Sequence, residues 1–340
     1  MNTLGKYVFL ALALFLIPVV CTATVCTPTG FFRDGINMTA VLINPASPVT
    51  GPVDAAGCNV GVYFDNGKGA VQNAEIYGAN FFGVLVNGDV NSVSVDVTGS
   101  SIHDIGDSPL GGAQHGVAIY YRAYFLAGNA SGTISGNTIS NYQKGGIVAN
   151  GQGTSALITD NIVIGQGHIS YIAQNGIQIG FGANASVMRN TVSGNSYTGT
   201  TTVGSGIVVV GGPFYTLYGF CPDGIDCPYT VGTRIVGNTV VNNDVGIFLT
   251  NLAADESAPT TATNVKAVNN IISNDGVYNN YSGFGYQAGV SDVGNNDKII
   301  NNNISGAGYT PATSLTAYLV AIDADLSFTN RPKVHANTTP

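Results

Sequence analysis

The residues GTISGNTISNYQKGGIVANGQGTSALITDNIVIGQGHISYIAQNGIQI, Gly132 to Ile179, state one pattern and then restate it. An Asn precedes a β-branched pair (Asn137-Thr138-Ile139, then Asn161-Ile162-Val163). A Gly opens a short apolar strand (Gly146-Ile147-Val148, then Gly176-Ile177-Gln178-Ile179). A unit this short cannot bury its apolar side alone, so recurrence predicts a stack of similar turns, each covering the next.

Working outward, the glycine signal recurs as Gly61, Gly83, Gly116, Gly146, Gly176, Gly206, Gly246 and Gly289, at spacings of 22, 33, 30, 30, 30, 40 and 43. A minimal rung of 22 residues lengthened by insertions fits these values. A second column holds Ala74, Ser100, Asn137, Asn161, Asn190, Asn238, Asn270 and Asn302, with an apolar residue two later in each rung, from Ile76 to Ile304. Two strands per rung follow, and a third, shorter one is expected. No run has a helical period, and with 9% charged residues the chain cannot supply the solvated faces that amphipathic helices need. The strands must therefore stack in parallel on their counterparts one rung away, about 4.8 Å apart. The expected fold is an all-β parallel β-helix of about eight rungs. Asn at one corner has a physical reason: it tolerates left-handed torsions, and its amide can bond the Asn of the next rung. Asn137, Asn161, Asn190, Asn238, Asn270 and Asn302 are thus expected to form a structural ladder.

The strings GTISGNTIS, ALITDNIV, ASVMRNTVSGN and TRIVGNTVVNND resemble the repeats of the right-handed parallel β-helix superfamily, to which pectate lyases and polygalacturonases belong. The resemblance spans roughly Cys58 to Ser305 and implies a right-handed solenoid. The Asn-Thr-Asp, Asp-Asp, Gly-His-Gly and Arg-Ile-Lys strings of polygalacturonases are missing here. With Glu75 and Glu256 the only glutamates, the acidic calcium cage and Arg base of pectate lyases find no match either.

Residues 1–23, with Lys6, an apolar run from Tyr7 to Val20 and Ala23, read as a secretory signal peptide; acylation at Cys21 is the rival reading. Nothing later is apolar enough to span a membrane. Residues 24–57 read as an N-terminal cap, 58–305 as the repeats, and 306–340 as a C-terminal cap ending in a mobile polar tail. Cys26, Cys58, Cys221 and Cys227 make an even set in an exported chain, and the most local pairing is Cys26 with Cys58 and Cys221 with Cys227. The net charge of -8 argues against nucleic acid and anionic membrane surfaces as partners.

Insertions fall at two corners, and the one before each glycine strand collects polar residues: His103, Asp104, Asp107, Gln114 and His115 on one rung, Lys144 on the next, His168, Gln174 and Asn175 on the third. Counting back from the glycine column sets Gln114, Lys144 and Gln174 at one position and His115, Gly145 and Asn175 at the next. On a uronate polymer, His115 or Lys144 would serve as a lyase base, with Arg122 on the carboxylate and Asp104 and Asp107 holding a ring nitrogen or an ion, calcium being the one that this reading admits. A glycosidase would use Asp104 with Asp107 as its carboxyl pair. The aromatic runs Tyr120, Tyr121, Tyr124 and Phe125, and Phe214 to Tyr229, suit sugar rings. The outward column Leu85, Ala118, Val148, Gln178, Val208 and Phe248 is more apolar than a solvated face, so something should cover it.

Three functions are compatible with the sequence. The first is a secreted protein binding a polysaccharide along its side, through Gln114, Tyr120, Tyr121, Arg122, Gln174, Asn175 and Gln178. The second is a lyase or hydrolase acting at the His103, His115 and Lys144 corner with His168. The third is a structural or adhesive surface protein.

Overall fold

Each turn of the chain contributes three short strands, and each strand pairs with its equivalent in the turns before and after. A computed structural model describes residues 24–276, 282–311, 317–324 and 329–340. The proposed signal peptide, Cys21 included, lies outside the described residues. The first sheet has eleven strands: Thr27–Arg33, Ile36–Ile43, Val60–Phe64, Phe82–Asn87, Val117–Arg122, Gly145–Asn150, Asn175–Gly180, Ser205–Gly211, Val245–Asn251, Tyr286–Asp292 and Tyr318–Asp323. All its pairings are parallel except the first, an antiparallel hairpin at the N-terminal end. The other strands form two further faces, represented by Thr154–Thr159 and Ile162–Ile169, which meet at the asparagine corner. The chain is a right-handed parallel β-helix, and the third strand expected in each rung is the one preceding the Asn.

Alternation within each strand drives the closure. Val62, Val84, Ile119, Ile147, Ile177, Ile207, Ile247 and Val290 occupy one register column of the first sheet and are fully buried. They meet Ile76, Ile102, Ile139, Val163, Val192, Val240, Ile272 and Ile304 from the third face in one continuous core. Each such side chain contributes about 1.5–3 kcal/mol of burial.

The glycine column is a consequence of this closeness. A Cβ on Gly176 would lie 2.3 Å from Val192 Cγ1 and 2.6 Å from the carbonyl oxygen of Gly206, and one on Gly83 would lie 2.6 Å from the carbonyl oxygen of Ala118. The last contact corrects the register read from sequence. Pairing of Ile147 with Ile119 sets Ala118, not Gly116, in the column. Gly116 is a turn glycine with φ of 82° just ahead of its strand, so positions counted back from it are displaced by two. Lys144 N–H donates to the carbonyl of Gly116, and Gln143 N–H to that of Ile105; His115 therefore falls level with Gln143, not with Gly145 and Asn175. The outward residue on this strand is Tyr120, opposite Leu85 and Val148, and Ala118 is buried.

The asparagine ladder is continuous. Asn137 Nδ2 donates to Asn161 Oδ1 at 2.9 Å, Asn161 to Asn190 at 2.9 Å, Asn190 to Asn238 at 3.0 Å, Asn238 to Asn270 at 3.0 Å and Asn270 to Asn302 at 2.9 Å. It continues into the segment read as a tail: Asn302 donates to Asn337 at 3.0 Å, and Lys333–His335 pairs in parallel with Lys298–Ile300. That segment is not free, because its Asn and Val334 repeat the rung pattern. Upstream, parallel pairing already includes Ile36–Ile43 and Val49–Asp54.

Cys26 bonds Cys58 and Cys221 bonds Cys227, with Cα separations of 5.4 and 5.7 Å. These bonds are compatible with an extracellular protein. Among the described residues, no helix is long and apolar enough to cross a membrane.

Candidate functional site

The outer surface of the first sheet carries two register columns of outward side chains. One runs Tyr63, Leu85, Tyr120, Val148, Gln178, Val208 and Phe248; the other runs Asn87, Arg122, Asn150, Gly180, Val210 and Thr250. The chain walls this surface itself. On one flank the N-terminal hairpin lays Phe31 against Tyr63, ring centroids 6.4 Å apart, and Arg33 over the Phe82 ring at 5.5 Å. On the other, the short helix Pro213–Leu217, just ahead of the loop closed by Cys221 and Cys227, places Tyr215 against Phe181 and Phe220, and Tyr215 Oη sits 2.6 Å from Thr250 Oγ1. Between the walls lies a groove of about 1800 Å³, whose floor is the two columns except for Leu85, which is fully buried, and Gly180.

Arg122 organises one edge. It forms an ion pair with Asp89 at 2.7 Å, both side chains less than a tenth exposed, and its guanidinium lies 4.6 Å from the Phe31 ring and 5.2 Å from the Tyr124 ring. Asp89 is oriented by the backbone N–H of Tyr124, at 2.8 Å. Asn87 Nδ2 donates to Tyr63 Oη at 3.1 Å, and burial pushes the Tyr63 phenol up to about 12, so it stays neutral. Along the floor Asn175 donates to Gln178 at 3.1 Å within one strand and Gln178 to Asn150 of the preceding rung at 3.2 Å, an amide chain joining two rungs.

Lys144 and His115 line the opposite lip. Lys144 Nζ donates to the carbonyl of Ala173 at 2.8 Å, and burial around the ammonium pulls its pKa down to about 8, although part of the side chain remains accessible. His115 Nε2 is 2.8 Å from Asp107 Oδ1 and its ring stacks on Phe81 at 4.0 Å. Gln143 holds this loop from beneath, accepting from the N–H groups of Asp107 and Gly111 and donating to the Ala113 carbonyl.

The candidate residues thus separate. Gln114, His115, Tyr120, Arg122, Lys144, Asn175 and Gln178 line the groove. His103, Asp104, Asp107, Tyr121, His168 and Gln174 do not. His103 bonds Asp104 at 2.7 Å and Glu75 at 3.3 Å and stacks on Tyr77, away from the groove lining. Burial acts to raise the Asp104 pKa, but hydrogen bonds from His103 and Asn141 outweigh it and hold the carboxyl below its usual value. His168 lies on Ile162–Ile169, beside Ser196 of the next rung. Tyr121 points inward, fully buried, its Oη on the carbonyl of Val95 at 2.6 Å; strand alternation permits only one of Tyr120 and Tyr121 to face out. Gln174 is fully buried and bonds Gln166 N and the Tyr142 carbonyl. The carboxylates Asp104 and Asp107 therefore do not face the groove as a pair. Among the described residues no group of three or more His, Cys, Asp or Glu is placed to hold a metal ion.

Sequence reasoning overlooked Phe31, Tyr63, Asn87, Asp89 and Asn150. Asn87 and Asn150 close glycine strands four residues after the column position, a signal that outward alternation would have picked out; the contribution of the distant hairpin has no local signal. In comparisons with known proteins, a family model described as a right handed beta helix region matches residues 53–221. Neither curated proteins nor solved structures give a match.

Proposed function

We propose that this chain, which belongs to the right-handed β-helix family, is an exported protein that binds an extended glycan lying along the helix axis. The observation that carries this reading is the groove itself, with aromatic walls and an amide-bearing floor on a rigid sheet. Seven rungs from Tyr63 to Phe248 give it a length of roughly 30 Å at about 4.8 Å per rung, enough for several sugar rings in a row. Flat rings suit the apolar faces of sugars, and amides both donate to and accept from hydroxyls. The lyase alternative asks one sugar to meet Arg122 together with His115 or Lys144, and His115 lies seven residues before Arg122 along the same stretch, roughly 23 Å at about 3.3 Å per residue. Arg122 pairs with Asn150, and six residues of strand separate Asn150 from Lys144, roughly 20 Å at about 3.3 Å per residue. Binding without cleavage is the function this geometry favours.

Affinity electrophoresis through gels containing soluble polysaccharides tests the proposal. At least one polymer should retard the protein, Gln178→Ala and Phe248→Ala should each relieve the retardation about tenfold, and Lys266→Ala on another face should not. No retardation by any polymer, or retardation indifferent to both groove substitutions, overturns it. Release of unsaturated products or reducing ends would overturn the statement that binding proceeds without cleavage.

A further inference from the structure

We infer that the glycan this groove accepts is uncharged; the inference rests on the binding reading above and adds the ligand's charge class. The groove's arginines are already matched within the protein. Arg122 is paired to Asp89 at 2.7 Å and Arg33 to Asp34 at 3.5 Å. The Arg122 pair is buried, and opening it to serve a ligand carboxylate would strand Asp89 in a site where an unpaired charge is costly. Asp65 at the groove wall is likewise held, by Asn44 Nδ2 at 2.7 Å.

Among the described residues lining the groove, the Lys or Arg without a carboxylate partner is Lys144, whose ammonium donates to the Ala173 carbonyl at the far lip. Against it stand Asp223 in the exposed wall segment and the whole chain's net charge of -8. A polyanion with a carboxylate on every ring would meet that lysine and a repulsive field. An uncharged polymer meets Asn87, Asn150, Asn175 and Gln178 in sequence, groups that hydrogen-bond hydroxyls without requiring charge. Arg122, its charge neutralised by Asp89 and its guanidinium flanked by the Phe31 and Tyr124 rings, bounds this edge of the groove without offering a free charge.

The test uses matched polymers of one backbone, hydroxyethyl cellulose against carboxymethyl cellulose and fully methyl-esterified against de-esterified polygalacturonate, in affinity electrophoresis at low and moderate salt. The uncharged member of whichever pair binds should bind at least tenfold tighter, with an affinity unchanged by salt. Preference for the acidic member, weakening as salt rises, overturns this inference and leaves the binding reading standing; no binding to any polymer overturns both. Asp89→Asn supplies the second arm, because it unmasks Arg122: affinity for the acidic member should rise about tenfold, and no rise would overturn the assignment of Arg122 as the masked cation.

Discussion

Asn190→Ala isolates what the asparagine ladder contributes. Asn190 is 1% exposed, and its Oδ1 accepts from Asn161 N at 3.0 Å and Asn161 Nδ2 at 2.9 Å, while its Nδ2 donates to Asn238 Oδ1 and to the Ile158 carbonyl, each at 3.0 Å. Alanine removes these four bonds and a fifth, from the same Nδ2 to the Met188 carbonyl at 3.2 Å. Asn238 Oδ1 keeps a donor in the backbone N–H of residue 190, at 2.9 Å, and Asn161 Nδ2 keeps the Ile134 carbonyl, at 2.9 Å. The Asn161 backbone N–H and one of its amide hydrogens are stranded in a dry corner. At about 1–3 kcal/mol for each buried group left unsatisfied, the loss is about 3–4 kcal/mol, a large fraction of the roughly 5–15 kcal/mol that holds a typical domain. Equilibrium urea unfolding followed by far-ultraviolet circular dichroism should show a lower midpoint at unchanged slope. Thr191→Ala, exposed on the neighbouring strand, should cost less than about 1 kcal/mol. A loss below about 1 kcal/mol for Asn190→Ala, equal to the control, would refute the ladder's energetic role.

Further predictions follow from other parts of the helix. Gly176→Ala pushes a methyl into Val192 and the Gly206 carbonyl and should cost at least about 2 kcal/mol by thermal or urea unfolding; a neutral effect would show that the sheets can separate there. Asp297 is buried beside Asp292, and burial first, then the neighbouring carboxylate, pushes it up to about 8. Its folded value lies above its unfolded one, so the stability it supports is complete below about pH 4 and is lost as pH rises through about 8. Asp297→Asn should therefore reduce the fall in stability between pH 5 and 9 by more than about 1 kcal/mol, and a pH–stability profile parallel to that of the wild type would contradict this. Replacing Cys221 and Cys227 together by Ser frees the groove wall but leaves the rungs intact. The variant should lose glycan affinity severalfold with a stability loss of no more than about 2 kcal/mol; unchanged affinity would remove this segment from the site.

What could be read in the sequence was whatever the rung repeats. Asn161, Asn190 and Asn238 announce the corner because each fills the same hydrogen-bonding place, and Ile147, Ile177 and Ile207 announce the core because strands alternate strictly. Gly116 misled because two physical reasons for glycine, a left-handed turn and a close approach between sheets, look alike in a sequence; Ala118 meets the second requirement without being glycine. That displacement of two residues moved His115 into the wrong company. The groove was half legible. Gln178, Tyr120 and Arg122 belong to repeating strands, but Phe31 and Arg33 come from a hairpin far back in the chain, and no local pattern says that it folds over the sheet. His103 and His168 clustered with His115 only in the count of rungs: they lie on the third face, which turns its outer surface away from the groove.

The most direct measurement of the central claim is a crystal structure with an uncharged oligosaccharide drawn from the polymer that retards the protein. Sugar rings should lie along the helix axis over the column from Tyr63 to Phe248, with hydroxyls on the Gln178 and Asn175 amides and the Arg122–Asp89 pair intact. Rings bound on either of the other two faces, or a groove empty at saturating ligand, would contradict the account.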